Sequence, residues 1–119
     1  MIIKNMLLQD LLNYLLKRGF AEFNISFSKR PTNQNTYLIS ISASPDFILC
    51  CNRKPVLCIE ADQKIQAKKI LIITDVFWKF EDAFISRDEH LDFLTRDWEE
   101  FCEKCKKIKY ELMGEKDEN

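Results

Sequence analysis

The sequence predicts an α+β domain: an N-terminal helix, a mostly antiparallel sheet of about five strands, and a long amphipathic C-terminal helix packed on the sheet. Three observations predict it. Clear helical periodicity occurs at the two ends of the chain. Between them, apolar residues alternate or run in short blocks, as strands do. The link Asp62–Lys68 is too short for a parallel crossover, so the strands on either side of it should form an antiparallel hairpin. At 119 residues the chain suits one domain, assigned to 1–113, with Gly114–Asn119 as a disordered tail.

Taken in order, Asn5–Arg18 reads as a helix. Asn5 is its cap, Leu8, Leu11, Leu12 and Leu15 share a face, and Gly19 stops it. Phe23–Ser28 alternates, with Phe23, Ile25 and Phe27 on one side, and Tyr37–Ala43 repeats the pattern. The polar stretch Lys29–Asn35 between them is a hairpin loop. Phe47–Cys51 and Val56–Ala61 are apolar on both faces and read as central strands, with Asn52–Pro55 as the turn between them. Both sheet faces should therefore be covered, one by each helix. Lys69–Val76 is a further buried strand, whereas Trp78–Ile85 fits a strand and a helix equally. Ser86 and Glu89 form a capping-box pattern before the stripe Leu91, Leu94, Trp98, Phe101, Cys102, Cys105, Ile108 and Leu112. Acidic groups crowd the first half of this helix and lysines the second, as its dipole favours.

With 46% apolar and 31% charged residues, the composition excludes a wholly disordered chain, a collagen-like chain and a membrane bundle. Two glycines exclude a fold that depends on a Gly-rich phosphate loop or dinucleotide turn. No apolar run approaches a membrane span, and no cleavable leader is apparent. Cys50, Cys51, Cys58, Cys102 and Cys105 are odd in number and lie in apolar stretches, so they read as free thiols in the cytoplasm. A net charge of −1 argues against a protein whose main partner is bulk nucleic acid. The charge is polarised, however: residues 1–35 carry +3 and residues 86–119 carry −4.

Several groups invite chemistry. Cys102 and Cys105 have CxxC spacing, but on a helix both fall on the apolar stripe, which makes them core residues rather than a zinc or redox pair. His90, the only histidine, sits among acids with no nucleophile placed beside it. Phe77, Trp78, Phe80 and Phe84 could stack bases, although so apolar a setting better suits core packing or a protein interface. Asp46 and Glu60, at the ends of adjacent strands, have the chemistry to share Mg²⁺, and a nearby lysine could stabilise charge on a phosphate.

The run SPDFILCCNRKPVLCIEADQK, residues 44–64, resembles the PD-(D/E)xK nuclease superfamily, in particular resolvase-like and type I restriction nuclease domains. The resemblance extends back through Arg18-Gly-Phe20 and forward through ILIITDVFWKF, residues 70–80. It implies Asp46 and Glu60 as Mg²⁺ ligands in a DNA nuclease, with a lysine two residues after the second carboxylate. Here that position is Asp62, and Asp62-Gln-Lys64 restores the spacing two residues later, so Lys64 becomes the assisting lysine.

Two readings of function follow. The first is a small cytosolic, non-catalytic binding protein, a regulator, inhibitor or accessory subunit that needs no cofactor and acts on another protein. Its contact surface would be Phe77, Trp78, Phe80 and Phe84 with Asp88, Glu99 and Glu100 on the acidic half of the last helix. The second is the Mg²⁺-dependent nuclease, acting through Asp46, Glu60, Asp62 and Lys64.

Overall fold

The computed structural model describes residues 5–32, 35–45, 54–64, 70–81 and 91–114, and in the last helix describes side chains from Glu99 onward. The elements are β1 (Asn5–Leu7), α1 (Leu8–Lys17), β2 (Phe20–Lys29), β3 (Thr36–Pro45), β4 (Lys54–Lys64), β5 (Ile70–Glu81) and α2 (Leu91–Met113). The strands form one sheet in the order β1-β5-β4-β3-β2, every neighbouring pair antiparallel. The short link before β5 does produce the hairpin that its length requires: Gln63 lies opposite Leu71 and Ile59 opposite Val76.

The N-terminus departs from expectation. Asn5–Leu7 is a strand, not the first turn of a helix, because its backbone pairs with Ile70–Ile72. Leu7 stands at the N-cap without a side-chain hydrogen bond, since the chain turns directly from sheet into helix. From there α1 behaves as its pattern requires. Leu11 and Leu15 are buried, and the helix ends where Gly19 takes φ +85°, a left-handed conformation that glycine adopts without Cβ strain. The amides of Arg18 and Gly19 donate back to Leu15 and Leu16 at 3.0 and 3.1 Å.

Lys54 and Pro55, expected in a turn, instead open β4, where Lys54 pairs with Glu81 and Pro55 with Phe80. The pairing continues because β5 is long: the ambiguous Trp78 region belongs to it as far as Glu81. The remainder of that region, the expected strand Phe47–Cys51 and the expected capping box at Ser86 and Glu89 lie outside the described residues.

One apolar cluster holds the molecule together. It joins Leu11, Tyr14 and Leu15 of α1 and Phe20 of β2 with Ile39, Ile41 and Ala43 of β3, Leu57, Ile59 and Ala61 of β4, and Leu71, Ile73 and Val76 of β5. Phe101, Cys105, Ile108 and Leu112 of α2 complete it. Both helices therefore serve the same sheet face rather than one face each. The phenol of Tyr14 donates to the Glu111 carboxylate between the helices, and Phe20 packs on Phe101 at 6.1 Å between ring centroids. On β4 the alternate residues Val56 and Cys58 are also buried, 2% and 8% exposed, yet stand outside this cluster on the opposite face. The double-sided burial of this strand is thus as its composition predicts, although the helices do not account for both sides.

Candidate functional site

The sheet face turned away from the helices carries the side chains that chemistry or binding could use. Side chains alternate along a strand, so Glu60, Asp62 and Lys64 project from this one face of β4 with Val56 and Cys58. On β5 the alternation is reset. Glu60 lies opposite Asp75 but Ala61 opposite Ile73, which leaves Thr74 as an extra residue in a bulge. Before the bulge Leu71 and Ile73 face the core; after it Val76 does. Ile70, Ile72, Asp75 and Phe77 consequently share the outer face.

That face is apolar at its β1–β5 end. Leu7 lies opposite Ile70, and Leu7, Ile70 and Ile72 are 40%, 47% and 38% exposed; Phe77, 38% exposed, lies further along β5, beyond Asp75. Its middle is acidic. Glu60 and Asp75 are direct cross-strand neighbours, an arrangement of like charges that the sheet must tolerate. Asp62 is ion-paired: the Arg30 guanidinium donates to its Oδ1 through Nε at 2.6 Å and approaches with Nη2 at 2.6 Å. Arg30 reaches it from beyond the end of β2, where its amide also donates to the Thr36 carbonyl at 3.3 Å. This pair was not foreseen. Its only signal was a basic pair, Lys29-Arg30, closing a strand two places from the one that bears Asp62.

The expected nuclease set is thus described in part. Glu60, Asp62 and Lys64 share a face, with Asp62 taken up by Arg30, while Asp46 lies outside the described residues. Among the described residues, no three His, Cys, Asp or Glu side chains converge so as to hold a metal ion. The described donors do not by themselves make up a Mg²⁺ site.

The comparisons add no relative. No family model, curated protein or solved structure matches the chain.

The expected aromatic surface is divided by the sheet. Phe77 is on the outer face, whereas Trp78 is half-buried on the core side, where it hydrogen-bonds Cys102 of α2. Phe80 belongs to β5, and Phe84 and Asp88 lie outside the described residues, as does His90. Glu99 and Glu100 are exposed and, with Glu103, Lys104 and Lys107, line a shallow open depression on α2. No helix among the described residues is long and apolar enough to cross a membrane.

The CxxC cysteines sit where a helix stripe puts them. Cys105 is fully buried, and burial pushes its thiol far above the ordinary range. Burial raises Cys102 as well, opposed by the Trp78 hydrogen bond.

Proposed function

We propose that the chain is a non-catalytic binding protein, a cytosolic regulator, inhibitor or accessory subunit that works through contacts with another protein. One observation carries the reading: three large apolar side chains, Leu7, Ile70 and Ile72, stand exposed together at one end of the outer sheet face, with the carboxylates Glu60 and Asp75 next along it and Phe77 exposed beyond them. Exposed apolar residues grouped in this way, rimmed by charge, are the usual composition of a contact surface. Glu99 and Glu100, exposed on α2, lie on the helix side of the sheet and would make a separate acidic contact. In this reading α2 continues as one long amphipathic helix along the sheet, with Leu91, Leu94 and Trp98 carrying its apolar stripe forward.

The test is capture from host lysate on immobilised full-length protein, compared with the double variant Ile72→Asp/Phe77→Asp. Proteins retained by the parent should be lost from the variant, and circular dichroism should show the fold intact, since both sites are solvent-facing. Equal recovery of every protein by the two would remove this face as the contact surface. The Mg²⁺-dependent nuclease acting on DNA rests on the sequence resemblance alone. Its test is DNA cleavage that requires Mg²⁺ and disappears in Asp46→Ala.

A further inference from the structure

The far edge of the sheet carries a second, independent feature. Among the described residues β2 is the last strand in the order, paired with β3 alone, and its outer edge runs for ten residues. Long edges are normally protected by a charge, a proline or a bulge within the strand. In β2 the bulge lies between Ala21 and Asn24, where Glu22 adopts φ 54°, and the regular run Asn24–Ser28 that follows has none of these devices.

The side chains and backbone of that run are arranged for pairing. Ile25 lies opposite Ile41 and Phe27 opposite Ile39, both partners in the core and at most 1% exposed. Ile25 and Phe27 continue the same apolar row, yet are 36% and 55% exposed because the helices do not extend over them. The Arg30 amide bonds to the Thr36 carbonyl, which sets the phase of the ladder. Alternation then turns the amides and carbonyls of Asn24, Ser26 and Ser28 towards β3 and those of Ile25, Phe27 and Lys29 outward.

We propose that β2 is a homodimerisation strand, pairing antiparallel with β2 of a second copy about a two-fold axis at Ser26. This register sets Ile25 opposite the second copy's Phe27, a β-branched–aromatic pair made twice. The outward amides and carbonyls of Ile25 and Phe27 bond across the axis, and Asn24 meets Ser28. Charge selects a second copy in this direction. β2 has an acid, Glu22, near its start and a base, Lys29, at its end, where Arg30 is already paired with Asp62. Antiparallel self-pairing brings opposite signs together at both ends, whereas parallel pairing would set like against like. The interface is isologous and closes on itself, so it yields a dimer and not a filament.

Sedimentation equilibrium of the full chain over a range of concentrations should show a monomer–dimer equilibrium. Phe27→Lys, at an exposed site that leaves the fold intact by circular dichroism, should weaken it by about tenfold or more. Ser26→Cys gives the register directly. Non-hydrogen-bonded partners lie about 4.5 Å apart at Cα, within disulfide range, so mild oxidation should trap a dimer linked through position 26. A chain that stays monomeric at every concentration overturns the proposal. So does a dimer that Phe27→Lys leaves intact, or an oxidised Ser26→Cys dimer without a 26–26 disulfide in its peptide map.

Discussion

Glu111 takes part in three contacts that tie the two ends of the chain together. It accepts from the Tyr14 phenol, and the Arg18 guanidinium meets it through Nε and Nη2 at 3.2 Å each. Arg18 also stacks over the Tyr14 ring at 3.6 Å and donates to the Tyr14 carbonyl at 3.2 Å. The Tyr14 hydrogen bond, aided by the Arg18 charge, holds the Glu111 carboxyl below the usual carboxylate range against the opposing effect of burial. A depressed folded value means stability that is present above the ordinary glutamate pKa and lost as pH falls through the folded one. Glu111→Gln keeps an acceptor for Tyr14 and removes the charge. It should cost about 0.5–1 kcal/mol at pH 7, a modest figure because both partners of the ion pair remain a third or more exposed. The gap between parent and variant in urea melts should close as pH drops below about 4, and a gap that persists at pH 3 would show that charge is not the cause. Tyr14 acts at the other extreme. Burial, with the Glu111 hydrogen bond, pushes its phenol far up, so its contribution holds at neutral pH and fades as pH rises beyond the ordinary tyrosine value of about 10.

At the scale of elements, the bulge in β5 decides what faces where. Thr74 shifts the side-chain alternation, placing Asp75 directly across from Glu60. Like charges in that position destabilise a sheet, so Asp75→Asn should raise stability by about 0.2–1 kcal/mol, seen as a thermal midpoint about 2 °C higher. An unchanged or lowered midpoint would mean that solvent already screens the pair. The same bulge explains why this strand was only half legible. Ile70–Ile73 is an unbroken apolar run, and period-two reading cannot tell its exposed members from its buried ones or foresee that Phe77, and not Trp78, faces outward after the shift. Elements with a clean period were read correctly. Leu11 and Leu15 of α1 and Phe101, Cys105, Ile108 and Leu112 of α2 are buried as their spacing demands, with Leu8 and Leu12 partly buried beside them. Asn5–Leu7 was missed because three residues have no period, and only their partner Ile70–Ile72 makes them a strand. The candidate surface was less legible still: Phe77, Glu99 and Glu100 stand exposed, but Leu7 joins Ile70 through pairing between the two ends of the chain, which local pattern does not encode.

For the molecule as a whole, the strand order makes stability indivisible. β1 comes from the start of the chain yet pairs with β5, and α1 and α2, from opposite ends, share one cluster with three central strands. Removing a side chain from α2 therefore opens a cavity that α1 and the sheet also line. Leu112 is fully buried in that cluster, one helix position beyond Glu111, which α1 holds through Tyr14 and Arg18. Leu112→Ala should cost about 2–5 kcal/mol, the range for deleting a buried leucine side chain where the surroundings relax only partly. The shape of the transition says more than its midpoint. If the two helices and the sheet are one cooperative unit, urea unfolding followed by far-ultraviolet circular dichroism and by tryptophan fluorescence should coincide in the parent. Both probes should move together to lower urea in Leu112→Ala, with the slope unchanged. Were the C-terminal helix an appendage on an independently stable sheet, the variant would instead lose helical signal first, and the two curves would separate.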